Sequence, residues 1–206
     1  VKVTNAWGST YSDGALLIPK LTTINNDTNS SDFSGTTRDT VRWGMNDFSL
    51  GAGRYSQNDK LLYYTDGNAT GEDVAARTWH GQALPYNQDW TVQVDVNVPA
   101  LTMPNVDSLV AAGLIVFNQD DPDDSAGVTL TRMLDNGALS HAFRADMDVN
   151  DSDVLSKTDP TSSTHATVRL RWDASEKELY YEYDANGATG GYSWIALTNR
   201  QLDGWE

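Results

Sequence analysis

The run RADMDVNDSDV, residues 144–154, places four aspartates and an asparagine within residues 146–153. Asp146, Asp148 and Asn150 alternate, and alternating side-chain oxygens converge on a hard cation at positions one, three and five of a calcium loop. The rest of an EF-hand is missing: position six is Asp151 where glycine is required, and position twelve is Lys157 where glutamate is required. Asp146, Asp148 and Asn150 are thus candidate ligands of a structural Ca2+ outside any EF-hand. The alternative is a strand end that runs into a solvated polar loop. A second acidic run, NQDDPDDSAG at 118–127, crowds Asp120, Asp121, Asp123 and Asp124 around Pro122. Crowded like charge is costly unless hydrated or holding a cation, so this run reads as an exposed hairpin loop or a second calcium candidate.

Sugar recognition calls for aromatic faces, on which the apolar side of a pyranose ring can lie, beside polar groups that reach hydroxyls. The segment RTWHGQALPYNQD, 77–89, supplies Arg77, Trp79, His80 and Tyr86 at a strand end and in a loop with Gly and Pro. Loops carried on a rigid scaffold are where recognition concentrates, so these four are the candidate ligand-binding residues, against packing at a sheet edge. Arg77 suits hydroxyls, a sulfate or a uronate. Trp90, Trp172 and Trp194 instead alternate inward along strand patterns and are assigned to the core. Hydrolase triads are not indicated: His80, His141 and His165 have no Gly-x-Ser-x-Gly elbow to serve. The chain contains no cysteine, which excludes disulfides, zinc–thiolate sites and cysteine nucleophiles.

Positioning falls to strands. The 206 residues carry 24 Asp against 5 Glu and only 5 Lys, a choice that favours caps, turns and metal loops over helices. In DWTVQVDVNVP, 89–99, Trp90, Val92, Val94, Val96 and Val98 share one face, as a sheet with one buried side requires. HATVRLRWD, 165–173, repeats the pattern with Val168, Leu170 and Trp172 inward and Arg169 and Arg171 outward. SLVAAGLIVFN, 108–118, is nearly all apolar and reads as a central strand covered on both faces. Further strands are expected at 61–65, 73–79, 127–133, 138–147, 178–184 and 192–198. Residues 25–37 read as a polar linker or loop. Short strands with two-faced alternation predict an all-β fold of two stacked antiparallel sheets, a β-sandwich spanning 1–206 as one domain.

Residues 32–65, DFSGTTRDTVRWGMNDFSLGAGRYSQNDKLLYYT, resemble the first strands of the concanavalin A-like lectin/glucanase superfamily. DWTVQVDVNVP, AAGLIVF, VTLTR, ATVRLRWDASEKELYYEYDANG and YSWIAL follow in the order that family shows, so the resemblance covers about 32–198, after N-terminal strands and a polar loop in 1–31. It implies a jelly-roll sandwich with a carbohydrate-holding concave face. Members usually continue past the Ser-Trp with one or two more strands. The stop at QLDGWE thus implies either a C-terminal truncation or an edge closed by residues 1–24. The family's glucanases carry Glu-x-Asp-x-Glu on one strand face, because a retaining mechanism needs two carboxyls about 5–5.5 Å apart. The nearest match is ELYYE, with Glu178 and Glu182 flanking Tyr180 instead of Asp; these glutamates read as solvent-facing.

The formal charge of −15 argues against nucleic acid and anionic membranes, both of which select clustered Lys and Arg. No apolar run is long enough for a membrane span. There is no basic and apolar leader at Val1, so an exported protein would have shed its signal. The reading is a non-catalytic carbohydrate-binding or adhesion module of an exported or surface protein, extracellular and bacterial, with a polysaccharide or glycan as partner. Its alternatives are a glycan hydrolase or lyase with non-standard acids and a structural surface domain with no ligand of its own.

Overall fold

The computed structural model describes residues 16–19, 33, 35–37, 39, 48–50, 53–65, 75–77, 84–98, 108–118, 121, 123–187 and 189–202. They form thirteen strands and, among the described residues, no helix. In the first half of the chain these are β1 (Leu16–Pro19), β2 (Phe48–Leu50), β3 (Gly53–Gln57), β4 (Leu61–Thr65), β5 (Ala75–Arg77), β6 (Trp90–Asn97) and β7 (Ser108–Phe117). In the second half they are β8 (Ser125–Asp135), β9 (Ala138–Val149), β10 (Ser152–Thr161), β11 (His165–Asp173), β12 (Glu178–Asp184) and β13 (Ile195–Gln201). One antiparallel sheet runs β1-β6-β11-β12-β13 and a second runs β10-β9-β8-β7, with β2-β5 and β3-β4 as separate ribbons. The fold is an all-β sandwich of two antiparallel sheets.

Alternation explains how the sheets meet. In the first sheet Trp90 pairs with Trp172, Val92 with Leu170 and Val94 with Val168, and the row continues to Leu179, Tyr181 and Tyr183 on β12. In the second, Leu114, Val128 and Ala145 form one rung, and Val116, Ala126 and Met147 the next. These two inner faces form one hydrophobic cluster, which Phe33 of the DFSG segment joins. That segment is pinned beside the β3–β4 turn: the Gly35 N–H donates to Asp59 Oδ1 (2.7 Å) and the Asp59 N–H to the Gly35 carbonyl (2.9 Å).

Turn chemistry sets the register of the second sheet. Asn136 (φ 48°) and Gly137 (φ 79°) make a two-residue turn with both residues left-handed, the form whose twist suits a hairpin. Asn150 (φ 50°) and Asp151 (φ 57°) do the same between β9 and β10. The polar stretch after Val149 therefore does not leave the sheet as a loop. It turns back as β10, an edge strand among the described residues, whose Ser, Thr, Asp and Lys residues suit a sheet margin.

One further expectation differs. Among the described residues β7 ends its sheet rather than lying centrally, and Leu109 on it is 47% exposed. Apolar periodicity reports which faces are covered, not which backbone edges are hydrogen-bonded, so the two are independent. The N-terminal strand β1 lies along β6, at the opposite edge of its sheet from β13.

Between the sheets, the buried Tyr183 stacks on Phe143 with ring centroids 3.8 Å apart and donates its hydroxyl to Asp159 on β10. Burial, then the hydrogen bond to Asp159, pushes the Tyr183 phenol up to about 12. A raised phenol favours the neutral form in the folded state. Its stabilisation is complete below the ordinary value of about 10 and is lost as pH rises through about 12. Urea midpoints measured across that window should fall with pH, and Tyr183→Phe should flatten the decline. Phe143, 1% exposed, should cost about 3–5 kcal/mol when truncated to Ala, read by equilibrium denaturation.

Candidate functional site

The face of the first sheet turned away from the core carries its chemistry. Period-two alternation that buries Val168, Leu170 and Trp172 necessarily turns Arg169 and Arg171 outward. The β11–β12 hairpin sets what lies opposite them. Asp173 Oδ1 accepts from the Ser175 N–H (3.1 Å), the Ser175 hydroxyl (2.7 Å) and the Glu176 N–H (3.3 Å), while Asp89 Oδ1 accepts from the Ala174 N–H (2.8 Å). The turn so held pairs Arg169 with Glu182 and Arg171 with Tyr180.

Arg169 Nε donates to Glu182 Oε2 at 2.5 Å, and Arg171 Nε approaches the same oxygen at 3.5 Å. Glu182 is 7% exposed, so the expected solvent-facing glutamate is instead a buried carboxyl group between two guanidinium groups. The physical reason is its register opposite the arginines, which a single strand's pattern does not reveal. Each arginine is also capped by an aromatic ring: Arg169 lies 3.9 Å from the Trp194 ring centre and Arg171 lies 3.8 Å from that of Tyr180.

Trp194 is accordingly not a core residue. It precedes β13, and the loop bearing it folds back over the sheet. Gly190 (φ 83°) and Gly191 (φ 89°) supply left-handed backbone that side chains resist. Asp184, 2% exposed, ties the loop down by accepting from the Ser193 N–H (2.5 Å) and the Asn186 N–H (3.1 Å). Tyr192 then stacks on Trp194 with centroids 5.0 Å apart and planes 18° from parallel, and is itself 45% exposed. At the other end, Glu178 accepts from the Tyr180 hydroxyl (2.7 Å) and Asn199 Nδ2 (2.9 Å). The Tyr180 bond, then the Asn199 bond, holds the Glu178 carboxyl below its usual range, and the same bond raises Tyr180.

The geometry bears on glycoside chemistry. Glu178 and Glu182 stand four residues apart along one strand, about 13 Å at the usual rise. Retaining and inverting pairs need about 5–5.5 Å and about 6.5–9.5 Å. Glu182 is engaged by two arginines and Glu178 by Tyr180 and Asn199, so each carboxyl is taken up by partners within the protein.

Of the ligand-binding candidates, Arg77 ends β5 opposite Phe48, with its side chain outside the described structure, and Trp79 and His80 lie outside the described residues. Tyr86 is placed: its ring lies 5.0 Å from Trp172, its carbonyl accepts the Trp172 indole N–H (2.8 Å), and Lys177 Nζ sits 5.7 Å from its ring centre. Asp146 and Asp148 share the outer face of the second sheet. Asp146 Oδ1 accepts from Arg144 Nε (2.7 Å) and from the Ser156 hydroxyl (3.3 Å), and Asp148 Oδ2 from the Ser125 hydroxyl (3.4 Å). Asn150 lies in the hairpin turn, its N–H donating to Asp124 Oδ1 (2.7 Å), so the two acidic runs meet at one end of the sheet. Among the described residues no three His, Cys, Asp or Glu side chains converge as a metal would need. Compared with protein-family models, with curated proteins and with solved structures, the chain matches none.

The arginine–glutamate group left only a partial trace in the sequence: Arg-x-Arg and Glu-x-Tyr-x-Glu flank one short turn, but the register across that turn decides which of them stand opposite. Removing the shared anion with Glu182→Gln should cost about 1.5–3 kcal/mol, the usual size for hydrogen bonds to a charged group, read from urea unfolding.

Proposed function

We propose that the chain is a non-catalytic carbohydrate-binding or adhesion module of an exported, surface-borne protein, of the concanavalin A-like kind that its sequence resembles. One observation carries the reading: an aromatic pair, the exposed Tyr192 stacked on the partly buried Trp194, braced from below by Arg169 on the outer face of the sheet. A half-exposed aromatic surface normally buries itself; held open on a sheet, it offers the flat apolar area on which a sugar ring lies. Polar groups that reach hydroxyls stand beside it along the same face, Asn199 and Glu178 among them. The spacing of Glu178 and Glu182 supports binding over hydrolysis. A structural calcium held by Asp146, Asp148 and Asn150 is a separate proposal, resting on their spacing in the sequence.

A glycan array with and without chelator tests the reading. Binding to at least one glycan is expected, and no binding under either condition overturns it in favour of a structural domain. Tyr192→Ala and Trp194→Ala should each weaken the bound glycan by about 1–1.5 kcal/mol, roughly tenfold in Kd, and the exposed Tyr192→Ala should do so with a melting temperature close to that of the parent. A melting temperature that rises with added calcium and falls with chelator supports the metal, since a ligand held only by the folded state stabilises it; an unchanged value overturns it.

A further inference from the structure

We infer that the face bearing Tyr192 and Trp194 selects neutral glycans and rejects uronate-containing or sulfated ones. This rests on the carbohydrate-binding reading and adds the class of ligand. Arginine binds carboxylate and sulfate through a planar fork of N–H groups, and that fork is bidentate where recognition is strong. Arg169 spends the Nε side of its fork on Glu182 at 2.5 Å, and Arg171 Nε lies 3.5 Å from the same oxygen. Their planes are covered by Trp194 and Tyr180. The side chains are 18% and 32% exposed, so neither stands out as a free cation.

Charge along the face runs the other way. Alternation turns Asp95 on β6, Asp173 on β11, and Glu178, Glu182 and Asp184 on β12 to the same side as Arg169 and Arg171. Two of these are buried, Glu182 between the arginines and Asp184 under the loop, which leaves Asp95, Asp173 and Glu178 to present negative charge, on a chain whose formal charge is −15. An anionic polymer laid on this sheet meets like charge from several directions, and such juxtaposition is a strong device against wrong partners.

The groups at the far end of the face suit hydroxyls. A carboxylate only accepts hydrogen bonds, and sugar hydroxyls donate them. Glu178 is the clearest acceptor: the Tyr180 and Asn199 donors keep it charged. Asn199 Oδ1 is left as a neutral acceptor on the same strand edge. About 13 Å of strand separates the Glu178 rung from the rung of Arg169 and Glu182, over which Trp194 lies, so aromatic platform and acceptor serve different parts of one extended chain.

The test is affinity electrophoresis of the whole chain through gels containing neutral polymers (a β-glucan, a galactan, a mannan and a xylan) or anionic ones (alginate, polygalacturonate and chondroitin sulfate). Each is run at low salt and at about 0.15 M salt. Retardation by at least one neutral polymer, insensitive to salt and at least about tenfold stronger than by any anionic polymer, is expected. Glu178→Gln should weaken that retardation several-fold while the protein still unfolds in one cooperative transition. Retardation by an anionic polymer that fades with salt overturns this inference and leaves carbohydrate binding standing. Retardation by neither class overturns both.

Discussion

Register between β6, β11 and β12 is the constraint on which the rest depends. Each of these strands alternates a core residue with a polar one, and side chains on neighbouring strands stand in rows. A slip of one residue would carry Arg169, Arg171 and Glu182 into the interior and put Val168, Leu170 and Trp172 in water. Burial of three or four large side chains per strand opposes that slip strongly, each contributing about 1.5–3 kcal/mol. The polar face is thus fixed by the apolar one. The arginines meet Glu182 because the valines and tryptophans on the other side leave them nowhere else to be.

The polar face is built in layers that hold one another. Glu182 orients two arginines, the arginines seat Trp194 and Tyr180, and Trp194 carries Tyr192. Exposed ion pairs contribute little, but a carboxylate this enclosed with two partners in one arrangement sets geometry as well as energy. Asp184 does the equivalent for the loop, turning a Gly-rich connection into a fixed shelf for two aromatics. Rigidity here lowers the ordering cost that a flexible aromatic loop would meet on binding.

The acidic runs show how one composition serves several local purposes. Asp173 closes a hairpin turn, Asp184 anchors a loop and Asp159 receives a phenol between sheets. Asp124 accepts the Asn150 N–H and the Asn118 amide, joining two turns at one end of the second sheet. Short side chains with two acceptor oxygens suit all these positions, because they reach nearby backbone N–H groups without spanning far. Turns and anchors of this kind account for Asp124, Asp159, Asp173 and Asp184 among the described residues.

What the sequence determined by itself was the class of the fold and the faces of its strands. Alternation in 89–99 and 165–173 named Val92, Val94, Val168, Leu170 and Trp172 as core, and each is buried. Such patterns are legible because burial of a face is a property of one strand. The tertiary structure alone decided what depends on two strands at once or on a turn's handedness. It sent residues 152–161 back as an edge strand, because Asn150 and Asp151 adopt left-handed backbone that hydropathy does not encode. It moved Trp194 from the expected core to the outer face, because paired glycines and Asp184 reverse the chain just before β13. And it closed Arg169, Arg171 and Glu182 into one group, since cross-strand register, and not spacing along either strand, brings them together.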